Sequence, residues 1–171
     1  GGGHGTQTAA LATSGYVSGG TITANSDSWD GSSWSDSPDV NTGRISGGSG
    51  GTQTAAIYSG GYEPTTSGKT EIWNGSAWSE SGDLNVSRGD AAMMTTSTDL
   101  GILGGGDPSQ RRKTEEYNGT SWTAVADSNA DKYGSAGAGT GTLGFLAGGG
   151  ASDYKATEEW TVAQNIKTIT D

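Results

Sequence analysis

Residues Thr70–Trp78 read TEIWNGSAW, and 44 positions later Thr114–Trp122 read TEEYNGTSW. Ser26–Trp34 read SDSWDGSSW, and Thr157–Trp160 open a fourth copy as TEEW. Each full copy is a short β-prone run, an Asn-Gly or Asp-Gly pair, and a closing tryptophan. Asn-Gly and Asp-Gly favour a two-residue type I′ turn, because both central positions of that turn need φ > 0. The stretch therefore predicts one tight hairpin per copy, with turns at Asp30-Gly31, Asn74-Gly75 and Asn118-Gly119.

The same 44-residue period links Trp34, Trp78 and Trp122, and it links Arg44, Arg88 and Lys132. Upstream of each aromatic lies an apolar run ending in glycine: TQTAALATSG (6–15), TQTAAIYSGG (52–61), STDLGILGGG (97–106) and GTLGFLAGGG (141–150). Counting four back from each last glycine gives an aliphatic column, Leu11, Ile57, Ile102 and Leu146. From that glycine to the aromatic the interval shortens along the chain, from 14 to 12, 11 and 10. Length variation confined to one place in a repeat marks a surface loop. A second hairpin per unit is expected where Ile45–Gly48 turn into Thr52–Ser59, and where Tyr133–Ala138 turn into Gly141–Ala147. Four short strands per 44 residues, with no sustained 3.6-residue period, make an all-β reading without helix. Glycines and aromatics recurring once per four-stranded unit are the cue for a β-propeller blade. The expectation is a single repeat domain of about four units, near 1–42, 43–86, 87–130 and 131–171. Only GGGH precedes the first apolar run, so the first unit is expected to lack most of its innermost strand.

Composition alone points elsewhere. Glycine fills 32 of 171 positions, about 19% against a usual ~7%. Leu, Ile, Val and Phe together number 19, about 11%, and the net charge is −10. Below about 20% with high net charge is the signature of disorder. The periodic placement of glycines and aromatics argues instead for thin sheets that share their apolar residues with neighbours.

An aliphatic run ending in Gly-Gly, a variable loop, then an aromatic and a tryptophan resembles the kelch motif. The blocks GTQTAAIYSGGY (51–62), KTEIWNGSAW (69–78) and KTEEYNGTSW (113–122), with TEEW near the C-terminus, are similar to kelch-like repeats of marine bacteriophage virion and tail-fibre proteins. Similar repeats occur in some bacterial surface proteins. The aromatic-to-tryptophan spacing of 5 is shorter than in kelch, and the first copy has Ser14-Gly15 in place of a glycine pair. The resemblance implies a kelch-like β-propeller and a virion or extracellular setting. It also implies a structural or receptor-recognition role, within a virion assembly or a homo-oligomer. The alternative reading is a secreted or cell-surface fibre or adhesin repeat, and a glycan-acting propeller enzyme stands third.

Chemistry-bearing motifs are sparse. An acidic chain repels phosphate backbones, and the one basic run, Arg111–Lys113, is followed by Glu115 and Glu116, so nucleic acid is excluded as a partner. No stretch approaches about 20 apolar residues, so no membrane-spanning helix is expected. With no cysteine and one histidine, His4, thiolate and multi-histidine metal sites are excluded. His4 lies near an end expected to be flexible and has no base or orienting partner by spacing. Gly139–Gly144 match G-x-G-x-x-G, but on a hairpin with no following helix, where the motif is a turn. Glu71, Glu115 and Glu158 recur and suggest a ring of carboxylates at a channel, able to bind a cation, but such residues more often lie on solvated edges or pair with the nearby Lys69, Lys113 and Lys155. No cofactor and no catalytic residue is expected. Binding is assigned to the variable loops after the glycine runs, where Tyr62, Arg111, Arg112 and Tyr154 offer ring faces and guanidinium forks. Such groups suit sugars, including host-surface glycans, or acidic groups.

Overall fold

A computed structural model describes residues 1–150 and 157–161, and it is all-β. Sheet 1 runs β1 (Gly2–Gly5), β2 (Ala10–Tyr16), β3 (Ile22–Trp29), β4 (Trp34–Ser37). Sheet 2 runs β5 (Gly48–Gly51), β6 (Ala56–Ser59), β7 (Thr70–Trp73), β8 (Trp78–Glu80). Sheet 3 runs β9 (Ala92–Met94), β10 (Gly101–Gly104), β11 (Thr114–Tyr117), β12 (Trp122–Ala124). Sheet 4 has three described strands, β13 (Ala136–Gly139), β14 (Leu143–Ala147) and β15 (Thr157–Thr161). Every sheet is an antiparallel meander in chain order. The GGGHG start does form an innermost strand: Gly2–Gly5 pair with Thr13–Ala10, contrary to the expectation drawn from the four residues that precede the first apolar run. Glycine has poor strand propensity, and here β5 packs against β1 and holds it in place.

The sheets follow one another through their first strands, with β1 against β5, β5 against β9 and β9 against β13. Among the described residues no comparable packing joins β13 back to β1, so the array has two ends. Burial patterns record the order. The second strands of sheets 2 and 3, AIYS and GILG, are buried on both faces, whereas β2 of sheet 1 and β14 of sheet 4 alternate. A strand covered on both faces belongs to the middle of a stack, and an alternating one to its edge.

Three apolar clusters fill the three gaps. Leu11 and Val40 meet Ala56, Tyr58, Trp73 and Trp78 between sheets 1 and 2. Ile57 and Leu84 meet Met93, Leu103, Tyr117 and Trp122 between sheets 2 and 3. Met94 and Ile102 meet Leu146 between sheets 3 and 4, with Trp160 against them. Each sheet thus sends one column forward and another backward. Strand register corrects the aliphatic column read from the sequence. Leu11, Ile102 and Phe145 face Ser28, Glu116 and Glu159, so the fourth member of the forward column is Phe145, not Leu146. By register Gly149, not Gly150, is the equivalent of Gly106, so counting back from the last glycine of the fourth run lands one residue late. Leu146 stands with Tyr58 and Leu103 in the backward column.

The hairpin turn also differs from type I′. Gly31, Gly75 and Gly119 have φ of 97°, 92° and 91°, while Asp30, Asn74 and Asn118 are not left-handed. The Asn74 N–H donates to Ala77 O (3.2 Å), so glycine is the first central residue, as a type II′ turn requires. The Asn or Asp side chain closes the turn instead. Asn74 Oδ1 accepts the N–H groups of Ser76 and Ala77, both at 2.9 Å, and Asp30 and Asn118 do the same.

The glycine pairs mark where the next unit's backbone comes close. Gly61 N–H donates to Arg88 O (2.9 Å), and Gly106 N–H to Lys132 O (2.7 Å). A Cβ on Gly105 would lie 2.2 Å from Lys132 O, at a φ of +72°. Sheet 1, with Ser14-Gly15, solves the same contact by side chain: Ser14 Oγ accepts the Arg44 N–H (2.7 Å) and lies 2.6 Å from the Arg44 carbonyl.

Candidate functional site

The loop-bearing end of the array rests on a row of buried ions. Arg44 and Arg88 are fully buried just before β5 and β9, and Lys132 before β13. Arg44 Nη1 meets Glu71 Oε1 at 2.7 Å, and Arg88 Nη1 meets Glu115 Oε1 at 2.5 Å. Arg44 Nη2 also donates to Tyr58 O on the second strand and Nε to Gly60 O just past it, and Arg88 Nη2 donates to Leu103 O. Each glutamate also accepts backbone N–H groups of the segment entering its sheet. Glu71 takes Asn41 and Thr42, Glu115 takes Asn85, and Glu158 takes Asn129 and Ala130. Burial pushes the Glu115 carboxyl up, but the bonds from Arg88 and Asn85 outweigh it and hold the group below the ordinary carboxylate value.

This corrects the reading of the glutamate column. Glu71 and Glu115 are buried on arginines, so they neither lie on solvated edges nor ring a channel, and they do not pair with the neighbouring lysines. Lys69 pairs with Glu63 (3.1 Å) and Lys113 with Asp127 (3.0 Å). Lys155 lies outside the described residues. The signal was available, since both Arg–Glu intervals are 27 residues.

His4 is likewise not at a loose end. It is buried on β1, with Nδ1 2.9 Å from Gly50 O and its ring 6.0 Å from that of Trp78. Burial lowers its pKa to about 4 against a weaker opposing bond to Gly50, so the imidazole is neutral and fills the sheet 1–sheet 2 gap.

Above the ion row, the loops after β6 and β10 converge. Gly89 and Asp107 exchange backbone hydrogen bonds, at 3.2 and 2.9 Å. Tyr62 lies across Gly89, where a Cβ would meet its ring at 2.2 Å. Burial raises the Tyr62 hydroxyl above its ordinary value, and the carboxylates of Asp90 and Asp107 add to this. Asp107 Oδ1 accepts from Arg111 (3.2 Å), and the Arg111 guanidinium stacks 4.7 Å from the Tyr133 ring centre. The structure therefore brings two predicted residues, Tyr62 and Arg111, into one row through Asp107, and extends the row to Asp90 and Tyr133. Arg112 turns away and donates Nε to Ser128 O (2.8 Å), pinning the outer loop. Tyr154 lies outside the described residues. Beside the row Arg111, Arg112, Gln110, Asp127 and Asp131 line an open hollow of about 450 Å³.

Asp90 and Tyr133 escaped the sequence reading because nothing in their spacing singles them out. A backbone signal did exist. Ser46, Asp90 and Gly134 recur every 44 residues, all left-handed (φ 55°, 53° and 58°). They hand hydrogen bonds along the array, Asp90 N–H to Ser46 O and Gly134 N–H to Asp90 O, both 2.8 Å.

Among the described residues no group of three or more His, Asp or Glu is placed to hold a metal ion. What the row offers is an aromatic face, a guanidinium and two carboxylates on a rigid base, which suits hydrogen bonding and ring stacking. Compared with protein-family models and with curated proteins, the sequence matches none.

Proposed function

We propose that the chain is a non-catalytic structural and recognition domain of a virion or extracellular assembly, with its sheets arranged as the blades of a kelch-like propeller. Recognition falls to the loops after the glycine pairs. The observation that carries this reading is the Tyr62–Asp90–Asp107–Arg111–Tyr133 row, set on a frame whose buried charges are already spent on one another. Binding loops on a rigid scaffold are where chemistry varies while the frame repeats. Stacking faces with hydrogen-bonding groups between them fit a sugar ring, so a surface glycan is the ligand class. A glycan array probed with the intact chain tests it. Tyr62→Ala and Arg111→Ala are expected to lower binding at least ten-fold while the melting temperature stays within a few degrees. Binding to no glycan, or turnover of a polysaccharide, would overturn the reading. Mass spectrometry of purified particles tests the setting, and absence of the chain from them sinks the virion assignment in favour of a cell-surface fibre.

A further inference from the structure

Two columns of buried residues each break at one end of the array. The backward-facing tryptophan is buried in sheet 2 (Trp78, 6% exposed) and sheet 3 (Trp122, 5%), but its sheet 1 counterpart Trp34 is 54% exposed. The forward-facing residue is buried in sheets 1 to 3 (Leu11, Ile57 and Ile102, at most 1%), but its sheet 4 counterpart Phe145 is 43% exposed. Beside Phe145 stands exposed Leu143, and with Ala138, Glu159 and Thr161 they line an open hollow of about 520 Å³. Hence sheet 1 presents the face that normally receives a forward column, and sheet 4 presents a forward column with nothing among the described residues to receive it.

The polar rim repeats the pattern. Gln53, at the start of sheet 2's apolar run, donates Nε2 to Ala10 O (3.2 Å) and Trp29 O (2.7 Å) on sheet 1. Its counterpart Gln7 is exposed. Ala10 and Trp29 are register partners on β2 and β3, and the equivalent partners in sheet 4 are Gly144 and Trp160.

The geometry points to a head-to-tail interface with a second copy of this chain, in which Phe145 and Leu143 of one copy seat against Trp34 and Trp29 of the next. Gln7 of the receiving copy then bonds to Gly144 O and Trp160 O of the incoming one. The occupant follows from continuity, since the three internal gaps are the same contact made between consecutive sheets. Such a contact is heterologous, so it closes into a ring or extends as a filament according to its rotation. Two copies supply eight sheets, the upper end of the ~4–8 blades of closed propellers.

Sedimentation and light scattering on the intact chain test the interface. The wild type is expected to associate with increasing concentration. Trp34→Glu and Phe145→Glu, both at exposed positions, are each expected to stay monomeric with an unchanged circular dichroism spectrum, and Gln7→Ala to weaken association several-fold. An equimolar mixture of the two charge variants retains one good face of each kind and is expected to form a dimer and nothing larger. A wild type monomeric at high concentration overturns the interface, as does dissociation by only one of the two variants, which marks a face-to-face dimer. No assembly in the mixture overturns it as well.

Discussion

Arg44 and Glu71 show how a chain with so few apolar residues still fixes its geometry. Each member of the pair is buried, and each spends its remaining capacity on backbone groups of a different segment. Removing one partner strands the other as an uncompensated buried charge. Arg44→Met is therefore expected to cost about 3–5 kcal/mol, read as a drop in the urea midpoint, and Arg44→Met with Glu71→Leu to cost less than the two single changes added. His4 gives a second residue-level test. Its folded pKa of about 4 lies below the unfolded value of 6.5, so between those values the unfolded chain binds the extra proton. Its contribution is complete above pH 6.5 and declines as the pH falls towards 4. From pH 7 to pH 5 the loss is about 2 kcal/mol, and His4→Gln is expected to remove that share of the pH dependence.

At the level of the element, the glycine pair and the hairpin tryptophan do opposite jobs. Glycine lets the neighbouring backbone in, and tryptophan fills the gap behind it. Gly105→Ala puts a methyl group against Lys132 O at a left-handed φ and is expected to cost about 2–4 kcal/mol, while Gly3→Ala, which meets nothing within 4 Å, changes stability by less than about 0.5 kcal/mol. Trp78→Ala is expected to cost about 3–5 kcal/mol and Trp34→Ala less than about 1 kcal/mol, though the two occupy the same place in the repeat. Thermal melts of the four variants decide both contrasts. The strands, their hairpins and the shared tryptophans were legible because each leaves a mark at a 44-residue interval. Turn type was not, since Asn-Gly serves both I′ and II′ and the Asn side chain, not its backbone, closes the turn here. The aliphatic column slipped by one residue in the fourth unit, because counting from the last glycine of a run assumes that it holds the same register in every unit, and only strand pairing identifies Phe145. In the loops, Tyr62 and Arg111 were visible as odd residues in variable segments. Asp107, which joins them, was hidden among nineteen acidic residues.

At the scale of the molecule, stability resides in the gaps. Each of the three clusters draws on two sheets, and among the described residues no sheet has a core of its own. One buried tryptophan removes about 150–250 Å² from water, on the order of 4–6 kcal/mol at ~25 cal/mol per Å², so even one such residue in a gap is a large share of a domain's net stability. The disorder-like composition is thereby reconciled with a folded chain. A stack of this kind also leaves unsatisfied faces at its ends, and Trp34 reports on one of them. Hydroxyl-radical footprinting read by mass spectrometry, at a dilution where the chain is monomeric, compares the equivalent tryptophans directly. The open array predicts strong oxidation of Trp34 with Trp78 and Trp122 protected. Equal protection of all three would mean that the first sheet is already covered within one chain, and equal oxidation would mean that the sheets do not stack; either result contradicts the open array.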